Sequence, residues 1–291
     1  MKVPISWLKD FVELTLPLPE LIHRLTMAGL EVEEVLYVGL PVEETLTAGA
    51  PGGHSRPETR VSGLSWEPNK IVVGAVVEVM PHPNADRLVL CRLEDGTVEQ
   101  IVLTGAPNLL PFKGQGPLPK PIKVAYAREG AKIYDGHQPG QVLMTLKRAR
   151  IRGVESYSMA CSEKELGISE DHEGIIFLDD DAPVGMPLAD YMGDAVLEIN
   201  LTPNIARDAN MLGVARELAA LSGQKLRLPQ RSYDYPTDGP AIQGRAAIQI
   251  TNPELNPRFV VGLIEGITIG DSPYWMQRRL KLAGMRPISN V

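Results

Sequence analysis

The sequence predicts an α+β multidomain protein, with a small N-terminal helix-strand unit, a five-stranded barrel in the middle and a further α/β region. Three observations carry this prediction. From Ile71 onward, five short runs rich in Val and Ile follow one another: IVVGAVVEV, RLVLCRL, EQIVLTG, PIKVAYA and QVLMTLKRARIR. Runs of this length and composition, bounded by Gly, Pro and Asn, read as strands. Apolar residues at helical spacing lie on both flanks of that region instead of within it. Finally, 291 residues exceed the ~100 to 200 of an ordinary domain, so more than one core is expected. The expected boundaries are 1–40, 41–70, 71–190 and 191–291.

In the first unit Ser6 is placed to cap a short helix carrying Trp7, Leu8, Phe11 and Val12. Pro19 suits the first turn of a second helix whose Leu21, Ile22, Leu25 and Ala28 share a face, with Gly29 ending it. EVEEVLYV follows as a strand. From Pro41 to Lys70 large apolar residues thin out among Gly, Pro, Ser and Thr. Such a stretch buries too little to offset its ordering entropy and reads as a linker or surface insertion in which His54 and Trp66 need no function.

The five strands of the middle region are separated by PHPNAD, EDG and the long loop APNLLPFKGQGPLPK, which fits a small barrel of oligonucleotide-binding type. Glu163 to Leu166 read as a helical turn stopped by Gly167, and GIIFL as a final strand. Beyond it AVLEINL is a strand, and Asp208 is placed to cap a helix with Met211, Leu212, Ala215, Leu218 and Ala219 on its apolar stripe. AAIQI and RFVVGLIEGITI read as strands. Ser272-Pro273 then opens a helix with Met276, Leu280 and Ala283 on one face and Arg278, Arg279 and Lys281 toward solvent.

Composition narrows the function classes. Charged residues at 22% and apolar residues at 44% are those of a globular chain. No apolar run could cross a membrane and the N-terminus has no signal-peptide pattern, so the expectation is a cytoplasmic protein without a membrane partner. Two cysteines, Cys91 and Cys161, are too few for a disulfide framework or a paired zinc motif. A net charge of -7 means that any nucleic-acid binding must come from a local basic face.

Lys147 to Arg152 supply one candidate. As an extended strand, KRARIR would line up Arg148, Arg150 and Arg152 on one side, with Ala149 and Ile151 on the other and Lys147 nearby. Planar guanidinium forks suit phosphate oxygens, but a charged edge strand guarding against aggregation has the same pattern, and on the ladder alone both readings stay open. Lys113, Lys120 and Lys123 either extend the ladder or keep the long loop soluble. No catalytic set is readable: His82 reads as a turn former, Asp171-His172-Glu173 as a solvated turn, and no hydrolase elbow, zinc helix or phosphate loop is present.

Taken together, VVGAVVEVMPHPNADRL, TGAPN and KRARIRGVESYSMACSEKELGISEDHEGII resemble the tRNA-binding barrel of phenylalanyl-tRNA synthetase beta subunits and related tRNA-binding proteins, across residues 71 to about 183. MKVPISWLKDFVEL, LTMAGLEVEEV, LTPN with LGVARELAAL, and SPYWMQRRLKLAGMRPISNV resemble the flanks of the bacterial beta subunit. There are departures: residues 41–70 look inserted, Thr104 stands where a Cys is common, and Asn204-Ile205-Ala206-Arg207-Asp208 alters the usual Arg-x-Asp spacing.

The resemblance implies a heterotetramer of two alpha and two beta subunits that uses ATP and Mg2+ to join phenylalanine to tRNA(Phe), with none of these cofactors bound by this chain. It implies an editing-type domain beginning near residue 191 and largely lying past Val291, and no DNA partner. Catalytic residues are not expected here. The stretch would bind tRNA through Lys147, Arg148, Arg150, Arg152, Lys113, Lys120 and Lys123. A stand-alone tRNA-binding chaperone and a subunit-docking module are the competing expectations.

Overall fold

A computed structural model of the protein describes residues 1–42, 59–229 and 241–291. The first layer contains β1 (Lys2–Pro4), α1 (Ile5–Leu8), α2 (Leu18–Met27), β2 (Glu31–Gly39) and β3 (Arg60–Ser65). Its fourth strand is β13 (Asp194–Asn200), which lies between β1 and β2 and runs antiparallel to both. Residues on either side of the barrel therefore build one sheet. Its inner face (Val3, Val32, Val35, Tyr37, Leu197, Ile199) packs on Leu21, Ile22 and Leu25 of α2 and on Val214, Ala215 and Leu218 of α4 (Met211–Ser222). The N-terminal amine closes the edge by donating to the Ile199 carbonyl at 2.6 Å.

Two expected caps are misplaced. Ser6 sits inside α1, whose N-cap is Pro4; its Oγ and backbone N donate instead to the Asp194 carboxylate at 2.5 and 3.0 Å. Asn210, not Asp208, caps α4, accepting from Gly213 N at 2.8 Å. Asp208 is drawn into the preceding 3-10 turn (Pro203–Asp208), where burial pushes its carboxyl above the usual range. Ala28, expected on the buried face of α2, is its exposed C-cap, while Gly29 ends the helix at φ +98° as expected.

The stretch expected as a linker carries β3, which pairs in parallel with β2, and ends in the buried Trp66. The Trp66 ring lies against Gly39, where a Cβ would stand 2.3 Å from Cε3, and its Nε1 donates to the Leu166 carbonyl at 3.2 Å. His54 lies outside the described residues.

The barrel is a five-stranded antiparallel sheet in the order β12-β7-β4-β5-β6, formed by β4 (Ile71–Pro81), β5 (Val89–Glu94), β6 (Glu99–Thr104), β7 (Pro117–Ala127) and β12 (Met159–Ala160). Val72, Val76, Val79, Cys91, Leu93, Val102, Val124 and Tyr126 fill its interior. The opposite faces of β4 and β7 pack on Val38, Trp66, Val196 and Leu188 of α3 (Leu188–Met192), which explains why IVVGAVV reads as a continuous apolar run and not an alternating one. Burial pushes the Cys91 thiol up to about 12 and the Cys161 thiol well above its ordinary value, so both stay protonated and unreactive.

The fifth strand is not the expected one. QVLMTLKRARIR divides into β9 (Leu143–Thr145), paired with β8 (Lys132–Tyr134), and β10 (Ala149–Ile151), paired with β11 (Val154–Ser156); the barrel position goes to Met159–Ala160. GIIFL makes a single bridge, Val124 to Phe177. Glu163 to Leu166 form a turn without a helix, closed by Gly167 at φ +72°.

Past residue 240, AAIQI and RFVVGLIEGITI do not form the expected strands among the described residues, beyond a bridge from Gln243 to Ala246. No described strand lies alongside to supply hydrogen bonds. Helix α5 (Tyr274–Leu282) follows, and its basic residues do not face solvent as expected. Arg278 lies 3.6 Å from Asp194 and donates to the Met192 carbonyl; Arg279 reaches Asp10 at 2.6 Å and stacks on Trp7 and Trp275; Lys281 reaches Glu163 at 2.8 Å. The stripe Met276, Leu280 and Ala283 is only half-buried, whereas Leu282 enters the core.

Candidate nucleic-acid interface

The basic cluster sits on the β10–β11 hairpin, which extends from the sheet at the β6 edge. Val154 follows Ile151 after two residues only, Arg152 at φ +47° and Gly153 at φ +93°. Two successive positive φ angles are what a primed two-residue hairpin turn requires. Gly supplies the second at no steric cost, whereas Arg152 is the sole non-glycine with positive φ among the described residues.

The expected ladder is therefore broken. Arg148 and Arg150 share one strand face by alternation, but Arg152 turns away at the tip, and the backing face is open because Ala149 and Ile151 are themselves exposed. The three guanidiniums also differ in what already holds them. Arg148 lies 4.7 Å from the centroid of the Tyr157 ring and 3.7 Å from Glu129. Arg150 faces Glu155 across the hairpin, and its Nε donates to the Gly153 carbonyl at 3.3 Å. Arg152 and Lys147 are exposed and have no side-chain partner among the described residues.

The lysines are spread out. Lys113 follows the 3-10 turn Pro107–Phe112, and its Nζ donates to the Asp86 carbonyl at 2.8 Å. Lys120 pairs with Asp180, and Lys123 is half-buried on β7 with no side-chain partner among the described residues. His82 shapes its turn as expected, by accepting from Asn84 N at 3.0 Å on Nδ1. On the loop between β4 and β5, the sequence offers Asn84 only as a turn residue and does not single out Arg87, yet a Cβ on Gly153 would stand 3.9 Å from Asn84 Nδ2. The turn-forming PHPNADR, with its single Arg87, was the available signal.

Among the described residues no group of three or more His, Cys, Asp or Glu could hold a metal ion, and no helix is long and apolar enough to cross a membrane. Fold and hairpin together define an α+β protein built on an oligonucleotide-binding type barrel. No family model matches the chain. Along its whole length, however, it is 42% identical to the phenylalanine-tRNA ligase beta subunit of Dehalococcoides mccartyi, 42% to that of Moorella thermoacetica and 39% to that of Geobacter sulfurreducens. The chain is a homologue of part of that subunit, spanning about 31% of the length of these relatives. Among solved structures, a MetRS related protein from Pyrococcus horikoshii aligns with a TM-score of 0.28 at 20% identity, over 40% of this chain and 86% of that one.

Proposed function

We propose that this chain is the tRNA-binding and scaffolding part of a phenylalanine-tRNA ligase beta subunit. The observation that carries the proposal is the end-to-end similarity at about 40% identity to proteins of that name. In this reading the chain works in the cytoplasm within an alpha2beta2 assembly, and ATP and Mg2+ serve the alpha subunit's joining of phenylalanine to tRNA(Phe). Residues 191–291 begin an editing-type domain in the same reading, and the chain alone neither charges tRNA nor deacylates Tyr-tRNA(Phe).

Binding is assigned to the exposed hairpin cations, Lys147, Arg148, Arg150 and Arg152, with Lys113, Lys120 and Lys123 as further contacts elsewhere on the surface. Each phosphate neutralised adds a salt-dependent term to affinity. The test is binding of labelled tRNA(Phe) across a salt series, with Arg148, Arg150 and Arg152 all replaced by alanine. A large loss of affinity and a shallower slope are expected; unchanged values refute the assignment. Charging of tRNA by the isolated chain would refute the division of labour. Exposed Ile151 (41%) beside the arginines favours a second reading, a protein-docking hairpin, in which the triple variant loses assembly with the alpha subunit instead.

A further inference from the structure

We propose that the hairpin tip and the β4–β5 loop form the two walls of one RNA backbone cleft, with Arg87 as an additional phosphate-binding residue. This rests on the tRNA-binding reading above. Three separate segments meet at this place. The loop touches the hairpin where Asn84 Nδ2 lies 3.9 Å from the Cβ position of Gly153, and the segment after the 3-10 turn reaches it through Lys113 Nζ on the Asp86 carbonyl.

The loop is built, not merely exposed. Its neck is the strand pair Pro81–Val89, and inside it the His82 ring is buried, 6% exposed, with Nδ1 holding the Asn84 amide. A second turn is closed by Leu88 N on the Ala85 carbonyl at 3.3 Å. Arg87 stands on this scaffold with its side chain exposed and without a hydrogen bond or ion pair among the described residues. Asn84 is exposed as well, its side-chain amide free to donate.

Charge decides the ligand class. Arg87, Lys113, Arg150 and Arg152 bring four positive charges around the junction, against Asp86 and Glu155. Glu155 faces Arg150, so the uncompensated positive charge falls on Arg87 and Arg152, one on each wall. Two guanidiniums presented by a buried-histidine loop and a tight turn can grip the same or adjacent phosphates from opposite sides, with Asn84 between them as a neutral donor.

The experiment uses the full chain and a fluorescein-labelled tRNA(Phe) transcript, with anisotropy read across a salt series. Arg87→Ala is expected to weaken binding about tenfold at 0.1 M salt and to reduce the salt slope by about 0.7 to 0.9. Lys225→Ala, an exposed cation remote in sequence from the cleft, should leave both unchanged. In an Arg152→Ala background the Arg87→Ala loss should shrink to about threefold or less, because the two act on one backbone segment. If the triple arginine variant weakens binding but Arg87→Ala does not, the cleft is refuted while the tRNA reading stands. If the two losses simply multiply, Arg87 binds elsewhere and the shared cleft is refuted. If neither variant matters, the tRNA reading itself has failed.

Discussion

Replacing Asp95 by Asn should remove a pH-dependent part of the barrel's stability. Asp95 closes the β5–β6 turn: Oδ1 accepts from Thr97 N, Thr97 Oγ1 and Val98 N at 2.9, 2.7 and 2.9 Å, and Oδ2 accepts from Arg128 Nε at 2.9 Å. Burial by itself would raise its pKa, but these hydrogen bonds, from the Thr97 hydroxyl, the Val98 and Thr97 amides and Arg128, outweigh it and hold the carboxyl at about 2. Against an unfolded value of ~3.9, a depression of roughly two units stabilises the fold by about 2 to 3 kcal/mol. Because the folded pKa is the lower one, that contribution is present above pH ~4 and is lost as pH falls toward 2. Asn keeps an acceptor for the turn amides but gives up the charge-assisted bond to Arg128. Urea unfolding should show Asp95→Asn less stable by about 2 kcal/mol at pH 7, with the gap closing near pH 2. Equal pH profiles for variant and wild type would refute the reasoning.

Two further outcomes concern packing. Lys281 and Glu163 form a mostly buried pair, 18% and 7% exposed at the side chain, so Lys281→Met alone should cost about 3 kcal/mol by leaving the Glu163 carboxylate with only the Ser169 hydroxyl, at 2.5 Å, as partner. The double variant Lys281→Met with Glu163→Gln should recover more than half of that in a denaturant double-mutant cycle. Gly63 in β3 holds φ +120° with its Cβ position 1.9 Å from the Tyr37 carbonyl oxygen, so Gly63→Ala should destabilise by about 3 kcal/mol in thermal unfolding, and a change below about 1 kcal/mol would mean that β3 relaxes freely.

Local pattern revealed what local physics determines. The runs at β4 to β7 were legible because both faces of β4 and β7 are buried, and α2 and α4 because their stripes keep helical spacing. β3 was hidden by its composition, since RVSGLS offers one buried apolar residue, Leu64, and its pairing with β2 is set by the sheet. The division of residues 142–156 into two hairpins turned on Arg152 adopting a positive φ, where Asn-Gly would have announced the turn. Helix α5 misled most. Arg278, Arg279 and Lys281 look solvated by charge alone, and the acids that receive them, Asp194, Asp10 and Glu163, lie 84, 269 and 118 residues away in sequence. In the candidate interface the arginines were found by charge and spacing, whereas Asn84 and Arg87 come beside them only through the fold.

The pairing of β13 with both β1 and β2 dictates an order of events on the ribosome. Residues 1–39 emerge before the barrel, but an inner strand of their sheet is Asp194–Asn200, so β1 and β2 lack their shared neighbour until about 150 further residues have been made. At ~5 to 20 residues per second that wait is roughly 8 to 30 s. The barrel strands β4 to β7 are close in sequence and can pair during the interval, which favours their closing first. Met1, whose amine ends on the Ile199 carbonyl, is made 198 residues before its partner and is among the last to find its place.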